Sequence, residues 1–94
     1  MASSKDYLAF VLDQFANPDV TYKPMMGEFL LYYKGKLFGG IYDDRFLVKP
    51  TKEALAFLPN AKRELPYPGA KEMLLIEEVD DREFLAELLS VIGE

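Results

Sequence analysis

Apolar residues recur at helical spacing in three segments of the chain. Ser3 or Ser4 can cap a first helix that ends at Asn17-Pro18, because proline disfavours helix in the residue before it. Thr51 can cap a second helix that stops at Pro59, and Asp80, followed by Glu83 three residues later, can cap a third. The apolar stripes are Tyr7, Leu8, Val11, Leu12 and Phe15; Ala54, Leu55 and Leu58; and Phe84, Leu85, Leu88, Leu89 and Ile92.

Residues 28–49 predict three strands joined by tight turns at Lys34-Gly35 and Asp43-Asp44. A short strand precedes them at 20–23 and is expected to stop at Pro24.

Two further strands are expected after the second helix. An inner strand is predicted around Met73–Ile76, and an edge strand could form near Leu65–Tyr67. The order helix, strands, helix, strands, helix indicates one α+β domain spanning 1–94, an antiparallel sheet with helices packed on one face.

If both turns have two residues, Leu31 lies opposite Phe38 and the two sheet faces follow by alternation. The expected core face, under the helices, holds Leu30, Tyr32, Leu37, Gly39, Ile41, Phe46 and Val48. The other face is apolar with a basic fringe and holds Phe29, Leu31, Tyr33, Lys36, Phe38, Gly40, Tyr42, Arg45, Leu47 and Lys49.

The second face is unusually apolar for a surface in water. Phe29, Leu31, Tyr33, Phe38 and Tyr42 are therefore predicted to bind a partner, in the first place a second copy of this chain. The alternative is that the loop at 60–70 covers this face, with Tyr67 packed against it.

Met25-Met26-Gly27 is a compact apolar turn with two interpretations. Methionine repacks easily against varied partners, so the turn could be an adaptable binding lip. The methionines could instead fill the core beside the first helix.

The chain contains neither cysteine nor histidine. This excludes thiol nucleophiles, zinc thiolates and histidine general bases, so we expect no enzyme activity, no cofactor and no metal site. The acidic pairs Asp43-Asp44 and Asp80-Asp81 lack the alternating spacing of a calcium loop and are interpreted as turn and cap residues.

Charge is unevenly distributed along the chain. The net charge is −5, of which residues 72–94 carry −7 and residues 1–71 carry +2. Without a dense basic cluster, no nucleic acid binding is expected. No apolar run is long enough for a membrane span and no signal peptide is evident, which favours a cytoplasmic location.

Several short motifs together resemble one family. They are Tyr22-Lys-Pro-Met-Met-Gly27, Tyr32-Tyr33-Lys-Gly-Lys, Phe38-Gly39, Asp43-Asp44-Arg45, Val48-Lys49-Pro50-Thr51, Tyr67-Pro-Gly-Ala70 and Glu78-Val-Asp-Asp-Arg82. In this combination, which spans nearly the whole chain, the sequence resembles the N-terminal domain of TfoX (also called Sxy), the bacterial competence regulator.

The resemblance implies a secretion-chaperone-like α+β fold that is often dimeric. Full-length regulators carry a second, C-terminal domain, and this chain resembles the stand-alone relatives that lack it. The family's motif falls on Pro24, Met25, Met26, Gly27, Lys49 and Pro50. The implied function is a non-enzymatic, regulatory protein-interaction domain, a homodimer that also binds an unidentified protein. The alternative is a chaperone-like escort that binds an extended client segment.

Overall fold

A computed structural model describes residues 3–93 and shows an α+β fold with three helices and six strands in that range. The elements are α1 (Lys5–Phe15), β1 (Val20–Met25), β2 (Glu28–Tyr33), β3 (Lys36–Tyr42), β4 (Arg45–Val48), α2 (Lys52–Phe57), β5 (Arg63–Glu64), β6 (Met73–Ile76) and α3 (Arg82–Ile92). The fold class predicted from the sequence is confirmed.

The six strands form one antiparallel sheet in the order β1-β2-β3-β4-β6-β5. The predicted inner strand is confirmed as β6, which lies between β4 and β5. The edge strand is Arg63–Glu64 rather than residues 65–67. Pro66 has no N–H to donate to a ladder, so pairing ends before it.

Side-chain caps begin all three helices of the described chain. The Ser4 and Thr51 hydroxyls accept hydrogen bonds from the N–H groups of Tyr7 and Ala54, as predicted. The third cap is Asp81, whose carboxylate accepts from Phe84 N–H, so the prediction of Asp80 was wrong by one residue. The N–H of Phe84 lies in the first turn of α3 and has no partner within the helix, and the carboxylate of Asp81 is the one that reaches it.

Three hairpins close with two-residue turns in which both φ angles are positive. These turns are Met26-Gly27 (50° and 86°), Lys34-Gly35 (52° and 80°) and Asp43-Asp44 (53° and 56°). The last two were predicted. At the first, a turn was predicted over Met25-Met26-Gly27, but the two-residue hairpin was not, because β1 continues through Pro24 to Met25 instead of stopping at the proline.

A β-bulge in β3 changes the predicted faces. Leu31 pairs with Gly39 while Tyr32 pairs with Leu37, so Phe38 is an extra residue without a partner on β2. The predicted pairing of Leu31 with Phe38 was therefore wrong. The bulge shifts the alternation, and the two expected faces mix.

The core lies between the helices and one sheet face. Gly39, Ile41, Phe46 and Val48 lie on this face as predicted, but so do Phe29, Leu31 and Phe38, which were expected on the opposite face. The Phe38 ring packs edge-on against Phe15 of α1 and Phe46 of β4, with ring centroids 6.0 and 6.3 Å apart. Leu30, Tyr32 and Leu37, expected in the core, lie on the other side.

No helix within residues 3–93 combines the length and the apolar character that crossing a bilayer demands.

Candidate protein-interaction face

The sheet face opposite the helices, here called the outer face, is built from three rows of side chains. The strand register places these residues side by side across the sheet. The first row is Met25, Glu28, Tyr42 and Arg45; the second is Lys23, Leu30, Gly40, Leu47 and Leu75; the third is Thr21, Tyr32 and Leu37.

Part of the outer face is covered by residues 65–70, here called the strap. The Arg45 guanidinium attaches the strap to the sheet through Nη2, which donates to the carbonyl oxygens of Leu65 and Pro66 at 3.2 and 3.4 Å. Its Nη1 pairs with Glu64 at 2.6 Å, and its Nε donates to the Tyr42 carbonyl. One side chain thus joins β4, β5 and the strap.

The low exposure of side chains beneath the strap shows that the strap covers this half of the outer face. Leu47 has no exposed surface although it points away from the helices, and Pro66 of the strap is also buried. The Tyr67 ring lies against the Tyr42 ring, with centroids 6.2 Å apart. The loop that the sequence offered as an alternative cover is therefore in place over Tyr42 and Leu47.

Gly40 is a glycine because Tyr42 lies over it. A Cβ atom at Gly40 would stand 2.6 Å from the Tyr42 ring and 2.8 Å from the Phe29 carbonyl oxygen, both too close for a real contact. The ring therefore packs directly on the β3 backbone. This close approach accounts for the glycine in the strand.

The other half of the outer face remains partly open. Leu30, Tyr32 and Leu37 are each half-buried there. The Lys23 ammonium lies over the Tyr32 ring at 5.3 Å from its centroid, a cation–π contact that keeps the charge at the margin. We refer to Leu30, Tyr32 and Leu37 as the open patch.

Met26 is the most exposed large apolar side chain described. It is 98% exposed at the tip of the β1–β2 hairpin, with a φ of 50° that methionine rarely adopts. Met25 beside it is half-buried on the outer face. The interpretation of Met26 as a core filler is therefore wrong, whereas its role as a binding lip stays a prediction.

The hairpin tip is fixed to the neighbouring turn by Ser3, which is buried. Its Oγ donates to Glu28 Oε1 at 2.6 Å and accepts from Asp44 N–H at 3.1 Å. Glu28 Oε2 accepts from Asp43 N–H at 3.0 Å. The Glu28 carboxylate is thus held in one position where two turns and the chain before α1 meet.

A groove of about 340 Å³ opens between the strap and this end of the sheet. It is lined by Glu28, Asp43, Arg45, Leu65, Pro66, Tyr67 and Pro68. Leu65 and Tyr67 expose 46% and 53% of their surface, so the wall that the strap contributes is apolar and accessible.

The surroundings of Tyr42 on the outer face change its pKa. The pKa of Tyr42 is raised, first because burial disfavours its charged form and then because of Tyr67, Glu28 and Tyr32 nearby. Burial is thus the main reason that the Tyr42 phenol keeps its proton to higher pH, and Glu28 adds to this effect.

The predicted site residues do not form one surface. Phe29, Leu31 and Phe38 are core residues, and Tyr33 packs against the core from its margin, so a binding face made of these four was wrongly assigned. Of the five predicted, Tyr42 lies on the outer face, largely under the strap. The reason is the bulge, which cannot be read from the pattern of alternation.

The two halves of the family motif are also separated. Pro24, Met25, Met26 and Gly27 form the end of the β1–β2 hairpin. Lys49 and Pro50 follow β4 at the opposite end of the sheet, where Lys49 N–H donates to the Phe38 carbonyl. The motif therefore does not converge on one site. Sequence reasoning missed Arg45 as the anchor of the strap; its position directly after a turn carried no such signal.

The acidic pairs act in turns and caps. Asp43 and Asp44 form a hairpin turn, and Asp81 caps α3. Within residues 3–93, carboxylates do not gather in groups of three that could hold a metal ion.

Fold and site together define a small α+β protein whose sheet is packed by helices on one face and strapped by its own loop on the other. The chain is 40% identical over 81 residues, covering 84% of this chain and 70% of the other, to a protein of Spirochaeta aurantia described as an uncharacterized 12.7 kDa protein in the trpE 5′ region. It belongs to the same family as that protein. No family model and no solved structure matches it.

Proposed function

We propose that this chain is a non-enzymatic, regulatory protein-interaction domain of the kind found at the N-terminus of TfoX, working in the cytoplasm as a homodimer that binds a further protein. The observation that carries the proposal is the open patch. Leu30, Tyr32 and Leu37 lie on a sheet face that points away from the helices and that the strap covers only in part.

The open patch suits a contact with a second copy. Each Å² of apolar surface removed from water contributes about 25 cal/mol, from which the cost of association is subtracted. A twofold axis through the patch brings the same residues together from both copies. Lys23, which lies opposite Leu30 on the outer face, stays solvated at the margin of the patch.

The contact between the Ser3 hydroxyl and Glu28 has a structural role rather than a catalytic one. A serine beside a carboxylate can be a nucleophile with its base. Here the hydroxyl is buried and already accepts a hydrogen bond from Asp44 N–H, so it is occupied in joining the two turns.

The escort alternative needs a place for an extended client segment, and the edge of β1 is poorly suited to one. In a hairpin closed by a two-residue turn, Val20, Tyr22 and Pro24 direct their backbone groups outward. Pro24 has no N–H, and Val20 N–H is already bonded to the Asn17 carbonyl. Proline in an edge strand blunts pairing with another chain, so the face is the better surface.

Amide chemical shifts measured while the protein is diluted test this proposal. Self-association through the open patch predicts concentration-dependent shifts at Leu30, Tyr32 and Leu37, with the helices unaffected. Shifts confined to the exposed side of α1 would place the contact elsewhere, and the absence of any change up to millimolar protein would contradict the homodimer.

A further inference from the structure

The groove beside the strap has a wall suited to the aliphatic part of a side chain. Leu65 and Tyr67 face the groove while remaining about half exposed. Pro66 and Pro68, which follow each of them in the chain, stiffen the strap. Arg45 holds this wall in place through two backbone carbonyls. The wall is therefore fixed before any ligand arrives.

The opposite side of the groove is negatively charged. Glu28 and Asp43 line it, and both oxygens of Glu28 accept hydrogen bonds, which holds that carboxylate in position. Among the described residues that line the groove, the one cation is Arg45, which pairs with Glu64 at 2.6 Å. Its other hydrogen bonds go to the strap carbonyls of Leu65 and Pro66 and to the Tyr42 carbonyl.

We propose that this groove binds a lysine or arginine side chain from an extended segment of a partner protein. The aliphatic part of the side chain lies on Leu65 and Tyr67, and its charged end lies beside Glu28 and Asp43. Long basic side chains combine these two properties, and a guanidinium also stacks on a tyrosine ring. The inference goes beyond the proposed homodimer, because the groove and the open patch are different surfaces.

The volume and charge of the groove select against other occupants. About 340 Å³ accommodates one long side chain with its neighbouring backbone rather than a folded surface. Phosphate groups and acidic peptides would meet two carboxylates. A second copy that inserted its own lysine is a distinct outcome, which the experiment separates.

The test is an NMR titration of the full chain with capped pentapeptides of sequence Gly-Leu-X-Leu-Gly, in which X is arginine, glutamine or glutamate. The arginine peptide is expected to shift the amides of Leu65, Tyr67, Glu28 and Asp43, and to bind about fivefold or more tightly than the glutamine peptide. Added salt should reduce this ratio.

Asp43→Asn is the informative variant, because asparagine also accepts the positive φ of this turn and the backbone donor to Glu28 remains. It should reduce the arginine preference severalfold, whereas Asp19→Asn, an exposed acid outside the groove, should leave it unchanged.

Three results would overturn the inference: equal binding of the arginine and glutamine peptides, tighter binding of the glutamate peptide, or groove shifts that depend on protein concentration without peptide. The peptide series on the unmodified chain gives this answer even if Asp43→Asn does not fold. Because dilution reports on the open patch and the titration on the groove, failure of one proposal is distinguishable from failure of the other.

Discussion

Tyr42 of β3 and Tyr67 of the strap face each other on the outer face, with ring centroids 6.2 Å apart and planes inclined by 53°. Through this contact the strap packs against the sheet instead of extending into solvent. It also explains why Tyr42 is only 5% exposed on the side away from the helices. Since Arg45 positions the strap, the contact depends on that side chain.

Arg45→Ala is expected to release the strap. The variant loses hydrogen bonds to the Leu65 and Pro66 carbonyls, and we expect the free energy of unfolding to fall by about 1–3 kcal/mol. The ion pair with Glu64 contributes little of this, because both side chains are partly exposed. Chemical denaturation followed by tyrosine fluorescence measures the change, and the absence of tryptophan keeps that signal clear.

Lys62→Ala is the matched control for the strap. It removes an ion pair with Glu77 whose side chains are 71% and 62% exposed, and it should change stability by less than about 0.5 kcal/mol. Equal losses in the two variants would show that Arg45 acts only as a surface charge.

Alkaline pH should destabilise the protein through Tyr42. Its pKa in the folded state is raised above 10.0, first by burial, so the folded chain holds this proton more tightly than the unfolded chain. The stability that follows is complete below pH 10 and falls as the pH rises above it. Tyr7, whose pKa is also raised by burial and by Asp44, adds to the same trend.

Tyr42→Phe tests the origin of this pH dependence. Unfolding free energies measured at several pH values from neutral to strongly alkaline should fall less steeply in this variant than in the natural chain. An unchanged slope would show that Tyr42 is not the titrating group.

Phe38→Asp should prevent folding. The bulge directs this ring into the core, where it contacts Phe15 and Phe46. A buried carboxylate without a partner there should cost more than about 4 kcal/mol, a large fraction of the stability of so small a domain. Circular dichroism should show loss of helix, and a folded Phe38→Asp protein would contradict the register at the bulge.

Local chemistry determined what could be predicted. The Ser4 and Thr51 caps and the turns at Lys34-Gly35 and Asp43-Asp44 depend on a few neighbouring residues, and all were confirmed. The bulge at Phe38 depends instead on contacts with α1 and β4, which are distant in sequence. Because the predicted register did not include this bulge, it assigned Phe29 and Leu31 to the wrong face.

The candidate site was predicted less completely for a related reason. Tyr67 was considered as a cover for the sheet, but the anchoring role of Arg45 depends on two loops meeting in space. A turn was predicted at Met25-Met26-Gly27, but the exposure of Met26 at a hairpin tip was not, because Pro24 suggested that the strand had already ended. Apolar composition alone could not distinguish this exposed methionine from a core residue.

The oligomeric state of Leu37→Asp in solution tests the central claim most directly. Leu37 precedes Phe38 but lies on the outer face within the open patch, so the charge should leave the fold intact and face the partner copy. Phe10→Asp, which places the same charge at an exposed aromatic residue of α1, is the control. At tens of micromolar, light scattering should show dimers for the natural chain and Phe10→Asp, and folded monomers for Leu37→Asp. A monomeric natural chain, or a folded Leu37→Asp dimer, would contradict self-association through this face.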